Sequence, residues 1–199
     1  MSTGEEKVWE TLTNLEPDEV CRRTDATFDA AAGLYMLKSC GKDFSVSPRE
    51  RKIFGHSPDS EIFLQRLGYF FRLSVIGYLA IAKDVFPTGR LVNPVNMKSG
   101  QLFFRGSHVL PLDRVAEKYG NNRDGFLKRG EELGGERLGY GDASMRLLSL
   151  SRVAVVPILW TTDDEFPARA DLLFDSSCEV QLPIDVIWSI AMLSTLALL

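Results

Sequence analysis

The sequence is poor in the side chains that most often do chemistry: 199 residues hold three cysteines and two histidines. Cys21, Cys40 and Cys178 form no paired spacing. Neither a disulfide framework nor a CxxC-type zinc or iron–sulfur site is indicated, and a reducing compartment fits. GxSxG, HExxH and GxxxxGK[ST] are all missing, which excludes a serine-hydrolase elbow, a zincin helix and a phosphate loop. Met1–Lys7 has no cationic and apolar leader pattern, so a secretory signal is not expected. The longest uncharged run, Val186 to Leu199, is 14 residues, short of the roughly 20 that a bilayer span requires. A cytoplasmic protein without a membrane crossing is the expectation, with reaction and cofactor unassigned.

What is there is ordinary for a folded chain: 45% hydrophobic and 25% charged residues, with a formal net charge of −4, so disorder is excluded. At this length a single domain over residues 1–199 is expected. The charge is unevenly placed. Residues 1–29 carry −5, residues 30–162 carry +7 and residues 163–199 carry −6. The bases of the middle are interleaved with acids and form no long run, so they read as solvated surface and nucleic-acid binding is not expected.

Val8, Leu12 and Leu15 at helical spacing, then Pro17-Asp18-Glu19, read as two short helices. Leu34–Lys38 and Lys42–Val46 flank Ser39-Cys40-Gly41 and read as a hairpin whose second strand is half-buried, since Phe44 and Val46 alternate with polar residues. The strongest helical periodicity follows Ser57-Pro58-Asp59: Phe63, Leu67, Phe70, Phe71, Val75, Tyr78 and Leu79 recur at three- and four-residue steps, predicting a central core helix over 59–82. Short helices are predicted over Pro111–Tyr119 and Asp124–Leu133, whereas Thr88–Val109 and Gly134–Ala143 carry no clear element. Met145–Leu150, Val153–Trp160 and Ala170–Phe174 read as an antiparallel meander, with Pro157 arguing for an edge strand or a bulge. A helix over 184–199, apolar almost all round, closes the chain. Together these give an α+β fold: a mainly antiparallel sheet from the N-terminal hairpin and C-terminal meander, packed by the central and terminal helices.

Candidate site residues are few. Asp163-Asp164-Glu165 is the densest acidic cluster and carries the oxygen ligands that hard cations want, although consecutive side chains diverge and an acidic turn also blunts a sheet edge. His108 sits in an unassigned stretch where an acid–base role is chemically apt; a solitary histidine is equally a structural hydrogen-bonder. Trp160 closes an apolar strand beside the acidic turn, as a ligand rim or as a core plug. Cys40, in the hairpin turn, is read as structural along with the other two thiols.

Val156-Pro157-Ile158-Leu159-Trp160, Asp163-Asp164-Glu165-Phe166-Pro167-Ala168, Leu172-Leu173-Phe174-Asp175 and Leu182-Pro183-Ile184-Asp185 resemble the C-terminal signature of the domain of unknown function 3786 family. The Gly77-Tyr78-Leu79 helix end, Pro87-Thr88-Gly89, Ser99–Phe104 and Gly141-Asp142-Ala143 are similar to the same pattern. The resemblance implies one full-length domain of anaerobic bacteria and archaea, found near one-carbon and corrinoid metabolism. Some members carry a cysteine-rich iron–sulfur segment, and this chain lacks those cysteines.

Three readings of function stand side by side. One is a ligand-binding or accessory protein holding a small anionic or cofactor-like ligand, with backbone donors from the glycine-rich middle and charge supplied by Arg90, Lys98 or Arg105, near Trp160 and His108. Another is a metal-dependent enzyme using Asp163, Asp164 or Glu165 with His108 as general acid or base. The last is an interaction protein that forms a homodimer through its apolar C-terminal helix.

Overall fold

The computed structural model describes residues 4–199; the first three residues of the N-terminal stretch read for a secretory signal lie outside them. The chain opens with α1 (Gly4–Asn14) and α2 (Pro17–Thr24). Pro17 starts α2 with Asp18 and Glu19 in its first turn, where the helix dipole favours acids. Strands β1 (Thr27–Asp29), β2 (Leu34–Ser39), β3 (Lys42–Ser47) and β4 (Lys52–Gly55) then form an antiparallel sheet in sequence order. The predicted hairpin is its centre. The flanking strands are only three and four residues long, too short for an alternation signal.

Cys40 and Gly41 turn the chain with φ values of 48° and 72°, the left-handed pair that a two-residue hairpin requires. Glycine is needed at the second position for another reason as well, because a Cβ there would meet the Gly134 Cα at 3.0 Å. Ser45 and Ser47 are buried along with Phe44 and Val46, so β3 is enclosed on both faces and not half-buried as its alternation predicts. Ser45 sits between the larger cross-strand partners Met36 and Phe54, which shade a side chain as small as serine.

The central helix, α3 (Pro58–Ile81), starts on a capping box: Ser57 Oγ accepts from the Ser60 N–H at 3.1 Å, and Ser60 Oγ accepts from the Ser57 N–H at 2.8 Å, meeting donors that the first helical turn leaves open. Its stripe of Phe63, Leu67, Phe71, Val75 and Tyr78 is buried, and the Phe71 ring lies 4.4 Å from that of Phe44 on β3.

The stretch from Thr88 to Val109 contains β5 (Leu91–Val92), a 3-10 turn at Pro94–Asn96, α4 (Gly100–Phe103) and a 3-10 turn at Gly106–His108. None of these pieces is long enough to show a period. Helices α5 (Leu112–Tyr119) and α6 (Arg123–Glu132) follow, then β6 (Glu136–Leu138), β7 (Ala143–Leu150), β8 (Val153–Trp160), β9 (Arg169–Asp175), α7 (Cys178–Gln181) and α8 (Ile184–Leu198). The second sheet has the order β5-β9-β8-β7-β6 and is antiparallel throughout, so the fold is α+β.

Pro157 does not lie on an edge. It stands in the middle strand of that sheet, paired across to Leu172 on β9. Its missing N–H is accommodated on the other side, where the ladder to β7 runs from Ser144–Ile158 to Leu147–Val155 without a pairing at Pro157.

The two sheets meet where the Cys40 N–H donates to Leu148 O at 2.9 Å and the Ser39 hydroxyl donates to Ser149 O at 2.6 Å. Just beyond, at the same end of β7, the Arg152 turn into β8 is clamped. The Arg152 guanidinium bonds Asp25 at 2.5 Å and Asp84 at 2.7 Å, and Arg22 also pairs with Asp84. The buried Tyr78 hydroxyl donates to Thr24 O at 2.9 Å and accepts from the Arg152 N–H at 3.1 Å. Tyr78→Phe therefore strands a carbonyl and an N–H at once; a loss of about 2 kcal/mol is expected, read as a lower midpoint in urea unfolding.

Asp175 pins the Thr88-Gly89 turn. Its carboxylate accepts from the N–H groups of Thr88, Gly89 and Ser177 and from the Thr88 hydroxyl, all between 2.7 and 2.9 Å. Burial alone raises its pKa, but the bonds from Ser177 and Thr88 outweigh burial and hold it down at about 2. A carboxyl depressed from its unfolded value of about 3.9 stabilises the fold above that pH and loses the contribution as pH falls through the folded value. Asp175→Asn is expected to cost about 2 kcal/mol at neutral pH. The gap between wild type and variant in unfolding free energy should close between pH 4 and pH 2, roughly the window set by the two pKa values.

Candidate functional site

The apolar α8 packs against α3, and Gly77 is where they come closest: a Cβ at Gly77 would stand 2.8 Å from the Val186 Cγ2. Around this crossing lies a cleft of about 600 Å³, walled by α1, α3, α8 and the segment that includes Phe103 and His108. Val8, Leu73, Ile76 and Ile81 make its aliphatic wall, with the rings of Tyr69, Phe103 and Trp188 beside them. Glu5, His108, Asp185 and Ser189 are its polar groups.

The rings are mutually ordered. His108 lies 4.7 Å from Phe103 and 4.8 Å from Trp188, the latter edge to face, and Phe70 meets Trp188 at 5.5 Å. These are the tilted and edge-on spacings that aromatic quadrupoles favour. The Trp188 indole N–H donates to the His108 carbonyl at 2.9 Å, which fastens the short turn at residues 106–108 to α8.

The two carboxylates differ. Glu5 lies 2.7 Å from the Arg72 Nε and accepts from the Trp9 indole at 3.3 Å. Asp185 accepts at 3.0 Å from the neighbouring Val186 N–H and has no ion pair among the described residues. Asp185, Trp188 and Ser189 are spaced i, i+3, i+4 and so share a face of α8. That spacing is legible in the sequence; the overall apolarity of the helix obscures it.

The residues singled out in the sequence are dispersed. His108 lines the α3–α8 cleft. Trp160 lines a different cavity of about 530 Å³, with Asp142, Asp163, Phe166 and Arg169, where the Arg169 guanidinium lies over the indole at 4.0 Å. Lys98 borders a third cavity of about 190 Å³ beside Glu179. Arg90 and Arg105 are exposed and border none of these cavities. None of these cavities gathers the three bases, because Arg90 sits just before β5 and Arg105 just after α4, each turned to solvent.

The acidic turn is likewise explained locally. Asp163 Oδ1 accepts from the N–H groups of Glu165 and Phe166 at 2.9 and 2.7 Å, so this carboxylate builds the turn. Asp164 and Glu165 are exposed, and His108 borders a different cavity. Among the described residues no group of three or more His, Cys, Asp or Glu could hold a metal ion. All three cysteines are free. Burial pushes the Cys40 thiol up to about 11 and the Cys178 thiol up to about 12, so both are inert thiols.

The Trp188–His108 bond makes a local prediction. Trp188→Phe keeps a ring but loses the donor, so amide hydrogen exchange over residues 103–109 should speed up by about tenfold, the equivalent of one neutral hydrogen bond. Exchange in α3 should stay unchanged; equal acceleration in both would contradict the assigned role.

Comparison with known proteins gives one match. The model of the family described as Domain of unknown function (DUF3786) covers residues 16–196. No match was found among the curated proteins or among the solved structures. Of the cleft's walls, α3, α8 and the Phe103–His108 segment lie within the matched residues and α1 lies outside them. With the match running from the start of α2 to the last turn of α8, this chain belongs to the DUF3786 family.

Proposed function

We propose that the protein is a cytoplasmic ligand-binding or accessory protein whose ligand sits in the cleft between α3 and α8. The carrying observation is the cleft itself. About 600 Å³ of space is lined mainly by aliphatic and aromatic side chains, with a few convergent polar groups. Pockets that bury small organic molecules have this size and this balance of lining. The bases expected to hold an anion lie elsewhere, and the charged groups that border this cleft are the carboxylates of Glu5 and Asp185. Free thiols support a reducing compartment, and no helix among the described residues is long and apolar enough to cross a membrane. A place beside anaerobic one-carbon or corrinoid metabolism rests on the family resemblance alone.

The test uses N-phenyl-1-naphthylamine, an uncharged dye that brightens in apolar surroundings. Saturable binding of one equivalent is expected. Leu73→Trp, which fills the cleft from α3, should weaken binding at least about tenfold, the effect of losing most apolar contact, while thermal unfolding stays close to wild type. Undiminished binding in Leu73→Trp, or no saturable binding to the wild type, overturns the assignment.

A further inference from the structure

We propose that the ligand of this cleft is an organic cation: an ammonium group carried on an apolar or aromatic body. The inference rests on the cleft being the ligand site and adds the sign of the ligand's charge. No lysine or arginine is among the lining residues. Arg72, the cation paired with the lining residue Glu5, lies 2.7 Å from it, and that pair is close to neutral as a unit. Asp185 is left as a carboxylate facing the cleft without a cation among the described residues.

Asp185 stands one helical turn from Trp188, and both border the same space with Tyr69 and Phe103. A carboxylate beside aromatic faces is the combination that recognises organic cations, because the negative ring faces attract the charge and the carboxylate neutralises it. An anionic ligand would meet the exposed Asp185 carboxylate as a like charge, and the two repel. A divalent metal ion is a poor alternative, since hard cations take six or more oxygen ligands and no three-ligand group exists among the described residues. The aliphatic wall of Leu73, Ile76 and Ile81 calls for an apolar body behind the charge, because a bare ammonium ion would lose hydration there without gaining contact.

Three probes share one phenylethyl body: (2-phenylethyl)trimethylammonium, uncharged 2-phenylethanol and anionic 3-phenylpropionate. Titration calorimetry on the full chain should find the cation bound at least about tenfold tighter than either relative, within the range of a cation–aromatic contact and a carboxylate contact acting together. Asp185→Asn should weaken the cation about fivefold or more and leave 2-phenylethanol within about twofold, while Asp185→Glu restores the preference. Thermal unfolding of both variants checks that α8 is intact. If 2-phenylethanol or 3-phenylpropionate binds as tightly as the cation, or Asp185→Asn leaves the preference in place, the charge assignment is wrong and the cleft reading stands. If none of the probes binds, or Leu73→Trp leaves their binding unchanged, the cleft reading itself fails.

Discussion

A helix with one charged residue in fifteen has to be enclosed on nearly every side, and enclosing α8 decides where most of the chain goes. Val186, Ile187, Ile190, Ala191, Leu193, Ala197 and Leu198 are all buried. The helix lies against α3 along one face, and its Ser194 hydroxyl meets that of Ser149 on β7 at 2.7 Å. Burial also leaves its last carbonyls without water, and the last turn of a helix has no partners of its own for them. They are met from three other helices: Arg66 on α3, Lys118 and Tyr119 on α5 and Arg129 on α6. Arg129 donates to Ala197 O at 2.7 Å and Tyr119 to Leu198 O at 2.6 Å. Cations at this end also face the negative pole of the helix dipole. Burial within its own chain thus accounts for the apolarity of α8, the feature from which a homodimer would be argued.

The uneven charge of the sequence has the same origin. Part of the basic middle closes α8, and part meets the acidic N-terminal segment. Arg72 pairs with Glu5, Arg51 with Glu10 and Arg152 with Asp25. Exposed pairs of this kind contribute little individually, but Arg152 has only a tenth of its side chain exposed. It ties the end of α2, the segment after α3 and the β7–β8 turn together. The acids of residues 163–199 behave differently, since no ion pair among the described residues includes one of them. Asp163 and Asp175 bind backbone N–H groups and shape turns instead.

The long periodic elements were readable because a single face or a full burial repeats over many residues. Both α3 and α8, the β2–β3 hairpin and the meander of β7 to β9 lie within a residue or two of their expected bounds. The segment between Thr88 and Val109 is opaque for the opposite reason: its pieces are two to four residues long, and contacts elsewhere hold them in place, such as the three bonds from Thr88 and Gly89 to Asp175 and the Trp188 bond to His108. Pro157 reads as an edge or bulge residue because a central strand ordinarily uses its donors on both sides, whereas here only the ladder toward β7 goes unpaired at that residue. The cleft was out of reach since Glu5, Gly77, His108 and Asp185 are near only after packing. Of its residues, the Asp185-Trp188-Ser189 face of α8 and the Tyr69-Leu73-Ile76-Gly77 face of α3 are spacings that single segments display.

Trp160 and Trp188 show how similar surroundings carry different chemistry. Each stands beside an acidic residue at the border of a cavity. At Trp160 a cation is built in, because Arg169 is its cross-strand partner and lays its guanidinium over the indole at 4.0 Å. The acids there are also engaged: Asp142 is held below the usual carboxylate range, first by the Thr161 N–H and then by its hydroxyl. At Trp188 the indole N–H is used, holding the His108 carbonyl, while Asp185 has its own helix's N–H and no cation among the described residues. Strand pairing brings an arginine to the first tryptophan by register. Helix packing brings apolar groups, rings, a serine hydroxyl and carboxylates to the second but no lysine or arginine, and leaves the electrostatic complement there to come from outside the chain.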